Sequence, residues 1–546
     1  MIAPMQLFLS HISIGTLWVL LLFFAGIYKA EAAPSSVDFV ISMNEAVAVS
    51  GCPTTCPRIT VDVGGLTHYA SYSSGSGTNS LTFSYAPNVG DLDLDGVTLT
   101  SPIDLNGGSI TDLNGNPISD LTFSVPDTSG IKVNYPSLSL DFLTNRYTHM
   151  GTAYTDLSSF FTPTSGIFTR NTVGTYFGQS GTLLTAPVDT PRFEYDPVTL
   201  QAKGLLIEET RTNKLFESTH FGSGNWTRSN TGVSLDVIAA PSGSMTADKL
   251  FILSGSSPSF ILQDRSITSG ITYTQSFFAK SAELSYAQIG ASTGFDSVNT
   301  WVTFNLSTGT VSNQGSGGSY GIMDIGNGWY RIYLTATATS SSGAGRFYLA
   351  PSATNINRNP VQTGDNVSGI YIWGAQLEEG AFPTSFIPTF GSAQSRGSDN
   401  LTIPAGAWFN PAEGTLFARA LNGQDIAVAG LAALTTDSAN RVSLIRVSSL
   451  GIEHQVRDGD VTQALKTLNG SGNFSTNLAC IAYEANNIIG SVNGLRTSLD
   501  NSATIPAIDK LVIGHWAGNG YLNGHVKNIA YYPQRAADSQ VQLLTQ

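Results

Sequence analysis

The stretch Tyr371–Phe390, YIWGAQLEEGAFPTSFIPTF, constrains the fold more than any other part of the sequence. Its first half alternates at period two, which is the pattern of a β-strand with two different faces. Gly380 ends this pattern, and Pro383 and Pro388 then keep the backbone extended without a hydrogen-bond donor. The stretch predicts a strand followed by an extended segment on which the chain leaves a β-sandwich.

A second strand is predicted from Gly328 to Thr337, GWYRIYLTAT, where alternate residues again form an apolar face. The motifs GWYR, YIWGAQLEEG and SFIPT resemble, in this order, the carbohydrate-binding-like jelly rolls of phage tail proteins and bacterial surface proteins. The resemblance implies a jelly roll over residues 216–390. A jelly roll is used for binding, catalysis or spacing, so the fold alone does not determine the function.

The composition favours an all-β protein with several modules. Charged residues make up 12% of the 546 residues, against a usual quarter, while the chain has 56 glycines. This balance argues against coiled coils and long solvent-exposed helices. The net charge is −13 and no run of Lys or Arg is present, so electrostatic binding of nucleic acid is not expected.

Residues 1–33 are predicted to be a signal peptide. The stretch from Ile12 to Ile27 is almost wholly apolar, and Ala30-Glu31-Ala32 supplies small residues where a signal peptidase reads them. We expect cleavage after Ala32 or Ala33 and a secreted or cell-surface protein. No Lys or Arg precedes the apolar run, so an uncleaved membrane anchor stays open as the alternative and would be the chain's sole contact with a membrane.

Three cysteines are present. Cys52 and Cys56 stand four residues apart in GCPTTCP and are spaced to close a small disulfide loop in an oxidising compartment. A zinc site would need two further soft ligands nearby, and the sequence has none there. Cys480 lies in the apolar run LACIAYE and is expected to be a buried thiol.

Residues 34–135 are predicted to form one all-β module. Short alternating runs such as LTFSYAP and LTFSVPD are separated by segments rich in turn-forming residues, among them DLDLDG and DLNGNP. The segments GDLDLDG and IDLNGGSITDLNGN resemble the immunoglobulin-like or cadherin-like repeats of secreted bacterial proteins. The resemblance implies an immunoglobulin-like sandwich that acts as a spacer.

A calcium site is a candidate in this module. Asp91, Asp93 and Asp95 match the start of a calcium-binding loop, but Pro102 stands at the twelfth position, where an EF-hand needs a bidentate acid. Two interpretations stay open at this point. One is a looser structural calcium site that borrows oxygens from another loop; the other is an acidic turn in contact with solvent.

Residues 136–215 are predicted to be an irregular leader segment. The motifs RFEYDP, GLLIEE and RTN resemble, in this order, a segment that precedes the jelly roll in phage tail and prophage-derived proteins. Glu208 and Glu209 are adjacent acids, but neighbours on a strand point to opposite faces. They are therefore not expected to converge on one bond as a catalytic pair would.

Residues 391–403 are interpreted as a linker, and residues 404–546 as a second sandwich. The closing sequence, LVIGHWAGNGYLNGHVKNIAYYPQRAADSQVQLLT, resembles the terminal strands of concanavalin A-like lectins and laminin-G-like domains. Glucanases of that superfamily carry E-x-D-x-x-E on one strand, and residues 404–546 contain no such run. His515 and His525 are expected to be structural histidines.

Candidate sugar-binding residues are sought in polar loops, where core packing does not account for a large aromatic ring. Trp226 in GSGNWTRSN and Trp516 in GHWAGNGY meet this condition. Asn225 and Asn519 stand near them as amides that would bond sugar hydroxyls. These four residues are the predicted ligand-binding set.

The sequence therefore predicts an exported all-β protein with an immunoglobulin-like sandwich, a jelly roll and a concanavalin A-like sandwich. The predicted function is non-catalytic binding of a polysaccharide or surface glycan, as in adhesion, on a cell surface or a phage-derived appendage. No catalytic residue is assigned, and structural calcium is the one cofactor considered. The alternatives are a glycoside hydrolase or lyase with loop carboxylates, and a purely structural protein similar to a tail fibre.

Overall fold

The computed structural model describes residues 36–340, 344–354, 358–359, 361–421, 423, 428–447, 451–470 and 475–546. Nearly all regular structure in these ranges is β-strand, so the all-β prediction is confirmed. The predicted signal peptide and its cleavage site lie outside the described residues. Within those ranges, neither helix has the length and apolar character that a membrane crossing requires.

The N-terminal module is built on one six-stranded antiparallel sheet. The module has eight strands, six of them in this sheet. They are β1 (Val37–Ser50), β2 (Arg58–Val63), β3 (Leu66–Ser74), β4 (Thr78–Tyr85), β5 (Leu92–Asp93), β6 (Thr98–Asp104), β7 (Ser109–Asp112) and β8 (Val133–Asn134). The order in the sheet is β6-β2-β3-β4-β1-β7, while β5 pairs with β8. Apolar residues of the segment 105–131 pack against one face of this sheet. The immunoglobulin-like classification stays a prediction.

Residues 137–215 contain nine short strands and a helix. They are β9 (Leu138–Asp141), β10 (Arg146–His149), β11 (Thr152–Tyr154), α1 (Leu157–Thr164), β12 (Ile167–Thr169), β13 (Gly174–Phe177), β14 (Leu183–Ala186), β15 (Phe193–Tyr195), β16 (Ala202–Ile207) and β17 (Arg211–Asn213). Asp156 is the N-cap of α1, and its carboxylate accepts a hydrogen bond from the Ser159 backbone N–H. The predicted irregular segment is thus largely regular.

The jelly roll comprises fourteen strands between residues 227 and 379. They are β18 (Thr227–Ser229), β19 (Thr231–Ala239), β20 (Met245–Ile252), β21 (Ser256–Pro258), β22 (Phe260–Arg265), β23 (Thr272–Ser281), β24 (Tyr286–Ser292), β25 (Trp301–Asn305), β26 (Thr310–Gln314), β27 (Ser319–Gly326), β28 (Trp329–Thr337), β29 (Gly345–Ser352), β30 (Val361–Thr363) and β31 (Gly369–Glu379). The two predicted motif strands are β28 and β31.

The jelly roll is a sandwich of two six-stranded sheets. The first sheet has the order β18-β22-β29-β24-β25-β26 and the second the order β19-β20-β31-β23-β28-β27. The motif strands β28 and β31 both pair with β23, and Ile332, Leu334, Ala375 and Leu377 contribute to the same core between the sheets. The prediction that these two strands share a core is confirmed.

The remaining strands belong to the second sandwich, except for the first, which pairs with β17 in a separate two-stranded sheet. They are β32 (Gln394–Arg396), β33 (Asn400–Pro404), β34 (Glu413–Leu421), β35 (Val428–Thr435), β36 (Arg441–Val447), β37 (Gly451–Asp458), β38 (Val461–Leu468), β39 (Thr476–Glu484), β40 (Ile489–Val492), β41 (Leu495–Arg496), β42 (Lys510–Ile513) and β43 (Gly524–Tyr532), followed by α2 (Asp538–Leu543). One large core lies between its two main sheets. Cys480 is buried and unpaired, as predicted.

This second sandwich includes the segment that precedes the jelly roll. The strand β43 pairs with β34 on one edge and with both β9 and β16 on the other. In the facing sheet, β12 pairs with β33. Where the sequence indicated a leader attached to the jelly roll, the structure has strands that complete the C-terminal sandwich, so the jelly roll is inserted between two parts of that sandwich.

A buried cluster of charged residues lies where the two sandwiches join. Arg170, Arg192 and Asp399 are each less than 2% exposed, and Glu208 and Arg396 are also buried. The Asp399 carboxylate pairs with Arg170 at 2.9 Å and with Arg192. Glu208 pairs with Arg192 at 2.8 Å and with Arg396 at 2.9 Å. We refer to these five residues as the junction cluster.

The junction cluster holds the extended segment that follows β31. Ser385 donates its backbone N–H and its hydroxyl to the two carboxylate oxygens of Glu208, at 2.7 and 2.6 Å. Its neighbour Thr384 bonds Glu378 of the jelly roll in the same way, at 2.9 and 2.7 Å. The two residues of the PTSFIPT motif are thus fixed from both sides, which orients the jelly roll on the second sandwich.

The N-terminal module contacts the second sandwich through its DLDLDG loop. Leu92 and Leu94 pack into an apolar cluster with residues of β34, β39, β43 and α2. Gln540 of α2 accepts a hydrogen bond from the Leu94 backbone N–H at 2.8 Å and donates to Asp95 at 2.5 Å. The loop therefore joins the two modules by apolar packing and by hydrogen bonds to α2.

Candidate functional site

Trp226 does not form an exposed platform, and the expectation for this residue is wrong. Its side chain is 2% exposed, with Phe221 at 4.9 Å and Phe277 at 6.4 Å between ring centroids. Its indole N–H donates to the Glu217 carbonyl at 3.1 Å. Asn225 is exposed, but its amide bonds Ser223 in its own turn, so the predicted pair does not make a binding surface.

Asp91, Asp93 and Asp95, the candidate calcium ligands, each accept hydrogen bonds from protein donors. Asp91 accepts hydrogen bonds from the Tyr85 hydroxyl and the Asn88 backbone N–H, and its other oxygen lies 3.2 Å from His68. Each oxygen of Asp93 accepts a backbone N–H at 2.7 Å. No group of three acidic, histidine or cysteine side chains in the described ranges is arranged to hold a metal ion. The carboxylates instead shape the loop that inserts Leu92 and Leu94.

Trp516 is the one predicted aromatic residue that is not buried. Six tryptophans lie in the described ranges; the other five are at most 8% exposed, whereas Trp516 is half-buried. Asn519 beside it is exposed. The structure therefore leaves one of the two predicted platforms available, and it lies in the C-terminal sandwich.

A tight turn presents Trp516 directly after β42. The backbone N–H of Trp516 donates to the Asn519 carbonyl at 3.0 Å, and that of Asn519 donates back at 2.9 Å. Ala517 and Gly518, the two central residues, have φ values of 50° and 78°, as in a type I′ turn. Gly518 adopts its positive φ without steric cost, whereas Ala517 is a non-glycine residue in the left-handed region, within a turn closed by these two hydrogen bonds.

The indole of Trp516 is supported by Arg441 of β36. The guanidinium carbon lies 4.7 Å from the ring centroid, in a cation–π arrangement. Arg441 is itself held by hydrogen bonds to the Gln455 side chain and the Ser438 carbonyl. A ring held in this way loses little conformational entropy when a ligand stacks on it.

His515 anchors the other side of the turn. Its Nδ1 accepts a hydrogen bond from the Gly518 backbone N–H at 3.1 Å, and its ring lies 5.2 Å from that of Tyr521. Burial lowers the pKa of His515 to about 4, so the imidazole is neutral at pH 7. His515 thus has the structural role predicted for it.

The adjacent acids Glu208 and Glu209 both form ion pairs. Although burial raises the pKa of Glu208, Arg396 and Arg192 lower it more and hold it at about 2. Glu209 pairs with Arg211 at 2.5 Å. A carboxylate that two guanidinium groups keep ionised is a poor proton donor at neutral pH. The adjacent acids act in the junction between the sandwiches.

His525 also has a buried acid as its partner. Its Nε2 lies 2.7 Å from a carboxylate oxygen of Glu194, which Lys203 approaches at 3.2 Å. Both His525 and Glu194 are less than 10% exposed. The pair joins β43 to β15 within one sheet, so His525 is a structural histidine as predicted.

Sequence reasoning did not find Arg441 as the partner of Trp516. The residue stands in the run RVSLIRVS, which predicts a strand but gives no sign of what its outward side chains contact. The two residues meet because β35 lies between β36 and β42 in one sheet. A contact made through strand order in this way leaves no local signal.

No family model matches this chain, and no curated protein matches it. Solved structures do match. One is the CBM40 of the Ruminococcus gnavus IT-sialidase bound to α2,3-sialyllactose, with 12% identity, 25% of this chain and 84% of that chain covered, and a TM-score of 0.22. Another is the mouse laminin α1 chain, domains LG4-5, with 10% identity, 51% of this chain and 88% of that chain covered, and a TM-score of 0.18.

Proposed function

We propose that this chain is an exported protein that binds neutral or charged glycans without catalysis, on a cell surface or a phage-derived appendage. The observation that carries the proposal is the half-buried indole of Trp516, supported by Arg441 on a tight turn with Asn519 beside it. An aromatic ring of this kind stacks on the apolar face of a sugar ring, and a neighbouring amide bonds its hydroxyl groups. The C-terminal sandwich would supply this site.

Trp516→Ala is expected to weaken glycan binding roughly five- to a hundredfold, because an aromatic platform contributes about 1–3 kcal/mol by analogy with base stacking. Binding of the chain from residue 34 onward would be surveyed on a glycan array and quantified by calorimetry. Trp516→Phe is the matched control, since it retains a ring at the same position and should keep most of the affinity.

The same samples separate the proposal from its rivals. A chelator should leave glycan binding unchanged, because the carboxylate of Asp93 in the DLDLDG loop already accepts hydrogen bonds from backbone N–H groups. Release of reducing ends from a bound polysaccharide would instead indicate a glycoside hydrolase or lyase. If the folded chain binds no glycan, the proposal fails and a structural role in an appendage is favoured, for which the buried contacts joining the modules are suited.

Export is a separate part of the proposal. The apolar run from Ile12 and the Ala30-Glu31-Ala32 site predict removal of the first 32 or 33 residues. N-terminal sequencing of exported protein should therefore begin at Ala33 or Pro34. An intact N-terminus recovered in a membrane fraction would contradict cleavage and indicate an anchor.

A further inference from the structure

The jelly roll has an open groove on the outer face of its first sheet. The groove has a volume of about 300 Å3, at the lower end of the range for small-molecule sites. It is lined by Glu283, Leu284, Ser285, Tyr286, Asn305, Ser307 and Ala353. None of these residues belongs to the ligand-binding set predicted from the sequence.

The floor of the groove is built from two paired strands. Tyr286 opens β24 and lies directly opposite Asn305, the last residue of β25. Since Ala287 and Phe304 face the core, Tyr286 and Asn305 share the outer face. Tyr286 is half-buried, so its ring is held by the sheet while part of it stays accessible.

The part of this outer face next to the groove is covered. Gln288 and Tyr348 are no more than 2% exposed, although they too point away from the core. Asn359 donates its backbone N–H to the Gln288 side chain at 2.7 Å, and the Arg358 guanidinium lies 5.9 Å from the Tyr348 ring. The groove therefore lies next to a covered part of this face.

Several polar groups in the groove have no protein partner among the described residues. They are the Tyr286 hydroxyl, the Asn305 Nδ2 and the hydroxyls of Ser285 and Ser307, for none of which a hydrogen bond is formed within those ranges. Asn305 is nonetheless fixed, since its Oδ1 accepts the backbone N–H of Ser307 at 2.9 Å. A rigid amide with two unused N–H donors next to a partly exposed ring suits a polyhydroxylated ligand.

The charge of the groove selects among such ligands. Glu283 is the one charged residue in its lining. Its carboxylate pairs with Lys249 at 2.7 Å and accepts the Gly369 backbone N–H at 3.2 Å. Because the lining offers no unpaired cation, it has nothing to compensate the desolvation of an anionic sugar.

From this geometry we infer that the groove around Tyr286 is a second glycan-binding site, specific for neutral sugars. The ring of Tyr286 stacks on one sugar, and Asn305 with the serine hydroxyls bonds its hydroxyl groups. The inference rests on the proposed glycan-binding function but uses different residues in a different module, so variants at Tyr286 and Trp516 separate the two.

The test uses the chain from residue 34 onward and a panel of oligosaccharides in matched pairs. Each pair has one core in neutral form, ending in glucose, galactose, mannose or N-acetylglucosamine, and in sialylated or sulfated form. At least one neutral oligosaccharide should bind, and Tyr286→Ala should weaken its binding roughly five- to a hundredfold. A loss in Tyr286→Ala shows that the groove binds neutral sugar, whatever the Trp516 site contributes.

Asn305→Asp provides a second, isosteric variant. It keeps the oxygen that accepts the Ser307 N–H and removes the Nδ2 donor, so it should fold normally and bind neutral sugar roughly two- to tenfold more weakly. Tyr69→Ala, which removes a 44% exposed tyrosine in the N-terminal module, is the control and should have no effect.

The inference is overturned if no neutral oligosaccharide binds, or if only the sialylated or sulfated forms do. It is equally overturned if Tyr286→Ala and Asn305→Asp both fold, as judged by circular dichroism and thermal unfolding, and bind like the parent. Should Tyr286→Ala unfold, Asn305→Asp alone decides. Loss of neutral-sugar binding in Trp516→Ala and not in the groove variants would support the proposed function and refute the second site.

Discussion

Asp399→Ala should lower the free energy of unfolding by about 3–5 kcal/mol, the cost of leaving buried charges without their partner. Asp399 is fully buried and pairs with both Arg170 and Arg192. It also accepts the backbone N–H of Glu208 at 3.0 Å. Its removal leaves two guanidinium groups and a backbone donor poorly satisfied in the junction cluster.

Denaturant unfolding of the purified chain, followed by circular dichroism, measures the change. Asp264→Ala is the matched control because it breaks an ion pair with Arg346 in which both side chains are nearly half exposed. That variant should lose less than about 1 kcal/mol. Equal, small losses in both variants would show that the junction cluster does not stabilise the fold.

Trp226→Ala should also destabilise the chain, by about 3–5 kcal/mol, as expected when a buried tryptophan is truncated in a packed core. The ring packs against Phe221 and Phe277 in the core of the jelly roll, so its removal would leave a cavity. The Glu217 carbonyl would also lose one of its two hydrogen bonds and keep the one from the His220 backbone N–H. The loss should appear in the unfolding transition, measured by thermal and denaturant unfolding.

Trp226→Phe is the control for this variant. It keeps an aromatic ring in the core and loses the hydrogen bond, so we expect a cost near 1 kcal/mol from that bond, with a further packing loss smaller than in the alanine variant. A stable Trp226→Ala protein with reduced glycan affinity would instead place Trp226 at a binding surface and contradict the packing seen here.

The period-two patterns predicted the strands well, because the alternation of apolar and polar residues itself indicates which face of the strand is buried. Trp226 is a case in which the local pattern does not predict burial. Its neighbours Asn225 and Thr227 are polar and exposed, as in a surface loop, yet the ring is buried by Phe277, which is supplied by a strand fifty residues away. Local sequence describes the turn, and distant residues determine the burial of its largest side chain.

The segment before the jelly roll was harder to interpret for a related reason. Its strands are short, and β9 and β16 find their partner in β43, at the other end of the sequence. The motifs RFEYDP and GLLIEE were recognisable, and the structure explains their charged residues: Arg192 and Glu208 belong to the junction cluster. Their spacing gave no indication of whether they bond each other, a substrate or a third segment.

The DLDLDG loop was interpreted through its acids, whereas its leucines determine its role. Asp91 and Asp93 each bond nearby donors in the N-terminal module, and Leu92 and Leu94 enter the apolar cluster under α2. The same alternation that suggested a metal loop is that of a short strand, β5, with apolar side chains. The sequence is compatible with a metal-binding loop and with an apolar contact. The hydrogen bond from the Leu94 backbone N–H to the distant Gln540 belongs to the contact between modules.

The position of β43 has a consequence for the order in which the chain folds. Ribosomes release a chain from its N-terminus, and domains generally fold as units as they emerge. The jelly-roll sheets pair only among their own strands, so this module can close once its last strand is free. The strands β9 and β16 are synthesised earlier, but they can pair with β43 only after Gly524–Tyr532 has emerged. Until then, the edges that later pair with β43 are open to pairing with other chains. A nascent chain of this protein therefore carries a finished middle module between two unfinished parts of one sandwich until the residues of β43 have been synthesised.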